Sequence, residues 1–489
     1  MATKTLFLVL ASFPLLLNGY NVAIFAPDIS NSQLIFNNRV AKTLTNAGHN
    51  VTIFIIQNFE SPPPKIKFSP AVNVELVNGS SGHFIDEYVK DMLDVTYYDI
   101  PVWDRRQRER FAIFEEMARA CQQLVQNASF LEYVESKKFD IAFTHVYTYC
   151  NIGIIHKTKI PSWVWLLSTA MAENVADAIG VPSPPSFCTP MMMDAGENLT
   201  FFERIKSLIG QSVTTPLMKM KVTDVETAIF RKQFGDFPDL FELSKKCPLV
   251  MVNSNELYDF AKPTLSKVVN IGGIGLDIAA PKTLPTEYTT LVESSKGFVV
   301  MTFGSFAPMH LMPESWKSSF AHVFSSFPDV RFFVRYENIE DTWSKSLPKN
   351  VFLSNWLPQS DLLSHNKCLG LISHGGYNSL QVGDKSQLLS AMKRLIGDNK
   401  LHATARRFRS MIAKRPVSSE QLLVKWTEFA AEFHALENLI PFSINLNPFV
   451  YHSLDVIIFM VLVASSTIYV FYRFLRCLCC KSLHKEKAE

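Results

Sequence analysis

The stretch that most constrains the fold runs from Trp356 to Gln381, WLPQSDLLSHNKCLGLISHGGYNSLQ. Its apolar run, Cys368-Leu369-Gly370-Leu371-Ile372, reads as a strand buried on both faces, the pattern of a parallel sheet. The strand empties straight into Ser373-His374-Gly375-Gly376-Tyr377-Asn378-Ser379. Gly375 and Gly376 let the backbone turn sharply, and the residues after them can open a helix whose unpaired N–H groups point back at the strand end. Such a strand–glycine–helix junction favours a phosphate or diphosphate, because the N–H groups and the positive helix end both attract anions. Asn378 and Ser379 add side-chain donors, and His374 can donate from its ring. Upstream, Trp356 offers a flat face for a base and Gln359 an amide for that base's edge. Ring, amide and anion site in this order suggest a nucleoside diphosphate laid across the C-terminal ends of a parallel sheet.

W-x-x-Q, then Leu363 and His365, then S-H-G-G-x-N-S resemble the UDP-sugar signature of the UDP-glucuronosyltransferases and their UDP-glycosyltransferase relatives. The resemblance extends along nearly the whole chain. It implies an α/β protein of two facing Rossmann-like domains of the GT-B type, with one C-terminal transmembrane helix. It implies metal-independent transfer of a hexuronic or hexose unit to a small lipophilic acceptor, with inversion at the anomeric carbon. The co-substrate is then a UDP-sugar, UDP-glucuronate or UDP-glucose, and no cofactor is needed. No run of residues has metal-ligand spacing. Pairing with a second copy or with a related transferase also follows from the family.

At 489 residues the chain has room for two domains plus appendages. A net charge of +3 is too small to argue for nucleic acid, and no basic–aromatic array suggests it. Residues 1–19 read as a signal peptide, with Lys4 ahead of an apolar core and a small residue before Tyr20. Val456–Tyr472 contains no ionised side chain and is bounded by Asp455 and by Arg473 and Arg476. A transmembrane helix over 456–475 and a cytosolic tail over 476–489 follow from the basic residues after the span. The last residues, Lys485-Glu486-Lys487-Ala488-Glu489, resemble dilysine retrieval signals. The expectation is a type I protein of the endoplasmic reticulum membrane with its catalytic part in the lumen. Cys477, Cys479 and Cys480 are palmitoylation candidates or plain cytosolic thiols. Cys121, Cys150, Cys188, Cys247 and Cys368 allow at most one or two bonds, with no pairing assigned. Glycosylation acceptors stand at Asn50, Asn78, Asn127 and Asn198; Asn78 is expected to be the most accessible and Asn50, leading into a strand, the least.

An N-terminal acceptor-binding domain is expected over residues 20–275. Asn21–Phe25 reads as a buried strand, residues 34–47 as a helix stopped by Gly48, and Val51–Ile56 as a second strand, which together make a βαβ unit. The loop between, Ala26 to Gln33, has no glycine, which argues against a phosphate cradle there. The family carries at this loop a histidine that removes the acceptor's proton, and aligned on the strand and Ala47-Gly48-His49 its position is occupied by Gln33. Glutamine does not titrate and cannot be a general base. The family's second catalytic residue, an acid after a later strand, corresponds to His145. His145 titrates near neutral pH; it is read either as a substitute base or as a loop-orienting residue packed against Tyr147 and Tyr149. With Gln33 at the base position, amines, which need no proton removal, are the acceptors whose chemistry survives.

A linker over 276–295 leads to a UDP-sugar-binding domain over 296–450. Gly297–Phe303 reads as a strand ending in Gly304-Ser305, which the family uses to hold the diphosphate. After Ser379 the family continues with a glutamate on the ribose, a Gly-Val-Pro strand, and an Asp-Gln pair on the sugar's hydroxyls. Here Val382-Gly383-Asp384 follow, and then helix-forming text from Gln387. About forty residues, one βαβ-sized piece, are missing after Gln381. Base and phosphates keep their partners while the sugar loses most of its own. The alternative reading is a catalytically inactive, membrane-anchored member that binds lipophiles or pairs with active homologues.

Overall fold

The computed structural model describes residues 19–485 except 61–65, 81, 83–96, 98–103, 105–111, 191–192, 194, 276–282, 305–306 and 374–384, with backbone alone at 385 and 477–485. The signal-peptide stretch, the retrieval-like C-terminus, and Ser305, His374, Gly376, Asn378 and Ser379 fall outside the described residues. The chain forms two compact units divided after Leu439.

The first strand, β1 (Asn21–Pro27), is fully buried from Val22 to Ala26. Its pleat sends Val22, Ile24 and Ala26 into one core and Ala23 and Phe25 into another. Burial on both faces is what a central parallel strand requires. α1 (Asn31–Asn46) lays Leu34, Val40, Ala41 and Leu44 against the first of these cores. It starts three residues before the helix expected from the apolar spacing, so Gln33 stands in its first turn rather than in a loop. Gly48, at φ +96°, ends it in the left-handed region that only glycine occupies freely.

The first sheet continues through β2 (Asn50–Gln57), β3 (Asn73–Asn78), β4 (Ile141–Thr144), β5 (Trp163–Leu167), β6 (Leu249–Val252) and β7 (Val268–Asn270). All pairs are parallel, in the order β3-β2-β1-β4-β5-β6-β7. The helices between include α2 (Ala112–Gln126), α3 (Cys150–Lys157), α4 (Glu173–Ile179) and α5 (Phe201–Met218), the last running through a π-helical turn into α6 (Asp224–Phe234). One disulfide joins Cys121 on α2 to Cys150 at the start of α3. The strand order reverses direction between β1 and β4, and it is outside the strands' C-terminal ends at such a point that open α/β sheets place their binding crevice.

The second sheet is built from β8 (Gly297–Thr302), β9 (Val330–Arg335), β10 (Val351–Ser354) and β11 (Cys368–Ser373), parallel, in the order β10-β9-β8-β11. Its helices are α7 (Thr286–Glu293), α8 (Glu314–Ser325) and α9 (Gln359–Ser364). α7 arises inside the expected linker and packs Tyr288 and Val292 on Phe298, Val300 and Phe333. The direction of winding reverses between β8 and β11, which brings the ends of these two strands together.

β11 departs from the expectation of a strand buried on both faces. None of its residues is buried, and the most exposed of them, Leu371, is 38% exposed. The reason is its place: it pairs with β8 alone and forms the edge of the sheet. No strand follows it among the described residues. The chain goes on as α10 (Lys385–Gly397), α11 (Asn399–Ala413) and α12 (Ser419–Phe433). α11 buries none of its side chains. α12, by contrast, delivers Leu423, Ala430 and Ala431 to the core beside β1. His49 fastens the same region: its Nδ1 accepts from the Tyr20 N–H at 3.2 Å, and its Nε2 lies 3.7 Å from Glu428 Oε1. In the second unit, α13 (Leu454–Lys485) holds one segment, Leu454–Arg476, long and apolar enough to cross a membrane, with mean hydropathy 2.2.

Candidate active site

At the crevice of the first sheet, β1, β4 and β5 each deliver a polar side chain just past their C-terminal ends. Gln33, buried in the first turn of α1, donates from Nε2 to Tyr147 Oη at 2.5 Å and to Ser168 Oγ at 2.6 Å. Both amide hydrogens are thereby used, and its Oε1 is enclosed without a partner. One helical turn on, Asn37 donates to the Gln33 carbonyl at 2.9 Å and places its Oδ1 2.8 Å from His145 Nε2. His145 follows β4 and is fully buried, its ring stacked on Tyr147 at a centroid distance of 6.4 Å. Burial pulls its pKa down to about 3, because a charged imidazole could not be solvated there.

Of the two readings of His145, this geometry is that of the packed, loop-orienting residue. A neutral ring with one nitrogen on Asn37 and no access to solvent is poorly placed to take a proton from a substrate. Tyr147 and Ser168, the two partners of the Gln33 amide, are only partly buried. Neither was singled out from the sequence as a site residue. The signal was available in part: each stands one to three residues beyond a buried strand, where α/β proteins carry their ligand contacts.

At the second sheet, Gly304 follows β8 with φ +74°, a conformation that favours glycine, and its N–H donates to Thr302 Oγ1 at 3.3 Å. Trp356 is 70% exposed. Its carbonyl accepts from Ser354 Oγ at 2.7 Å and Tyr288 Oη at 3.3 Å, so the backbone is held while the ring stays free. The Arg335 guanidinium stands 6.0 Å from the ring centroid, a cation–π contact the sequence did not reveal. Gln359 is exposed at the first position of α9. His365 turns inward instead: its Nδ1 accepts from the Lys367 N–H at 3.1 Å and its ring packs on Phe298. Among the described residues no group of three or more His, Cys, Asp or Glu side chains could hold a metal ion.

The four glycosylation acceptors are all exposed. Asn50 sits at the first residue of β2, outside the buried run, with Nδ2 on Asn21 Oδ1 at 2.9 Å.

Comparison with known proteins agrees with this architecture. A family model described as "UDP-glucoronosyl and UDP-glucosyl transferase" matches residues 27–383 and 381–489. The Caenorhabditis elegans protein named "Putative UDP-glucuronosyltransferase ugt-48" is 25% identical over 490 residues, covering 90% of this chain and 91% of its own. UDP-glucuronosyltransferase 1-2 of Rattus norvegicus is 23% identical over 466 residues, covering 86% of this chain and 82% of its own. The crystal structure of LpCGTa in complex with UDP superposes with a TM-score of 0.54 at 14% identity, covering 85% of this chain and 99% of that one. The two parallel sheets are those of a GT-B glycosyltransferase, and the chain belongs to the UDP-glycosyltransferase family, whose members use a UDP-sugar as donor without a cofactor.

Proposed function

We propose that this chain transfers a glucuronyl or hexosyl unit from a UDP-sugar to small lipophilic acceptors, and that amines are served in preference to phenols. The observation that carries the acceptor class is the absence of an available base among the described residues of the first crevice. Gln33 does not titrate and both its amide hydrogens are engaged; His145 is neutral and buried. A neutral amine brings its own lone pair, whereas a phenol attacks well only once its proton is removed.

On this reading the nucleotide lies at the ends of β8 and β11. Trp356 stacks on the base, Gln359 meets its edge, and Gly304, Ser305, His374, Gly376, Asn378 and Ser379 hold the diphosphate. The absence of about one βαβ unit after Gln381 is supported by three facts: no strand follows β11 among the described residues, the family match breaks into two stretches meeting at 381–383, and the ugt-48 alignment is longer than the part of this chain it contains. The proposed division remains 20–275 for the acceptor and 296–450 for the donor. Residues 1–19 would be the signal peptide, 456–475 the membrane helix and 476–489 the cytosolic tail of an endoplasmic reticulum glycoprotein with its catalytic part in the lumen. The apolar helix Leu454–Arg476 and the exposure of Asn50, Asn78, Asn127 and Asn198 support that address. Association with a second copy or a related transferase is the remaining proposed partnership.

Incubating the full chain in membranes with labelled UDP-glucuronate or UDP-glucose and a matched aryl amine and phenol tests the reading. The N-linked product is expected in excess. Phenol glycoside without amine product overturns the acceptor class, and UDP bound with no sugar transferred overturns transfer in favour of a lipophile-binding partner.

A further inference from the structure

Glu226 lies on α6 and is fully buried. Its carboxylate reaches the segment that joins β4 to α3. Oε1 accepts from Thr148 Oγ1 at 2.6 Å and Oε2 from the Tyr149 N–H at 2.7 Å. Thr148 Oγ1 in turn accepts from the Cys150 N–H at 3.0 Å. Thr148 and Tyr149, the latter at the N-cap position, lead into α3, and Cys150 is its first residue; free N–H groups and the helix end favour negative charge there. Cys150 is also the residue tied to Cys121. The segment from His145 to Tyr149 is therefore fixed at one end by the β4 ladder and at the other by a carboxylate and a disulfide. Between these ends stand His145 on Asn37 and Tyr147 on Gln33. A buried carboxylate opposes folding unless the groups it holds repay the desolvation, so its place here calls for a role.

We propose that Glu226 is a positioning residue of the acceptor site, acting through Thr148 and Tyr149 to hold the Tyr147 hydroxyl on the Gln33 amide at the mouth of the crevice. The inference rests on the reading of that crevice as the acceptor site. In the ionised state both carboxylate oxygens accept; protonation turns one of them into a donor facing a backbone N–H or a hydroxyl already committed. Burial pushes the Glu226 carboxyl up to about 7, against the pull of the Thr148 hydroxyl and the Tyr149 and Cys150 N–H groups. Of the other titratable groups on the elements packed here, His145 is kept neutral by burial and the Tyr149 phenol is raised by it, while His156, which burial lowers, and Lys157 stand in the last turn of α3 and Arg231 and Lys232 in the last turn of α6. Asp177 on α4 acts on that phenol, Glu116 on α2 is paired with Arg119, and Asp224 on α6 itself is paired with Lys219.

The test uses the full chain in detergent, with dansylamide as an uncharged fluorescent aryl probe and UDP as the control ligand. Wild-type affinity for dansylamide is expected to fall several-fold as pH is lowered from about 8 to about 6, through the Glu226 titration. Glu226→Gln can still accept from the Tyr149 N–H and donate to Thr148 Oγ1, and its affinity is expected to be flat over the same range. Glu226→Ala is expected to bind about tenfold more weakly at every pH, with UDP affinity unchanged in all three proteins. A Glu226→Gln profile that tracks the wild type overturns the proposal, as does Glu226→Ala binding dansylamide like wild type. If Glu226→Ala loses UDP binding as well, it has unfolded, and the Glu226→Gln profile alone decides. Wild type that binds UDP but no dansylamide at any pH removes the acceptor reading itself, a result separate from either of these.

Discussion

Trp356 is 70% exposed, with the Arg335 guanidinium 6.0 Å from its ring centroid and its backbone carbonyl held by Ser354 and Tyr288. Stacking of a base on an aromatic side chain is worth roughly 1–3 kcal/mol. Trp356→Ala is therefore expected to weaken UDP binding by about ten- to hundredfold in a calorimetric titration; unchanged affinity would place the base elsewhere. His145 poses the opposite case, a group whose chemistry is suppressed by its surroundings. Its folded pKa of about 3 lies below the usual histidine value near 6.5. As pH falls through about 6.5 the unfolded chain takes up this proton and the folded chain does not. The stability that neutral His145 contributes is thus present above that pH and lost below it. Between pH 7 and pH 5 the wild type is expected to lose about 2 kcal/mol more than His145→Asn in urea unfolding. Equal losses would mean the ring is not held neutral, and a rate profile whose inflection vanished in His145→Asn would restore it as a base. Trp356 and Gln359 stand out in the sequence because they belong to a short ordered motif, and both lie exposed after β10. The Tyr147 and Ser168 contacts to Gln33 do not, since they join residues 114 and 135 positions apart whose meeting depends on strand order.

Among the elements, β1 and β8 were legible because an unbroken apolar run fits a strand buried on both faces, and that is where the structure places them. β11 carries the same kind of run and is nevertheless an edge, because burial belongs to the neighbour on its far side, and no described strand supplies one. α1 begins at Asn31 rather than at residue 34, a difference hidden from periodicity because the first turn carries polar Asn31, Ser32 and Gln33. The disulfide between Cys121 and Cys150 likewise had no local signature; sheet order brings α2 beside the start of α3. Closing a loop across 29 residues of sequence is expected to contribute about 2–4 kcal/mol. Cys150→Ser, or the wild type in reductant, should show that loss in thermal unfolding, and the mutant should not respond further to reductant. A wild type indifferent to reductant would mean that the bond does not form.

At the scale of the molecule, two parallel sheets each present the ends of their central strands at the point where winding reverses. One crevice holds Gln33, Tyr147 and Ser168. The other holds the ends of β8 and β11, with Gly304 at one of them. Among the described residues the first sheet has seven strands and the second four, with the reversal at its edge. The account therefore expects a donor site that keeps the nucleotide's partners and lacks those of the sugar. Titrating UDP and UDP-glucuronate calorimetrically, against the full chain and against a version carrying the ugt-48 segment inserted after Gln381, tests this most directly. The account predicts equal affinity for the two ligands in the chain as it stands, and preference for UDP-glucuronate only after the insertion. Preference for UDP-glucuronate over UDP in the uninserted chain would contradict it.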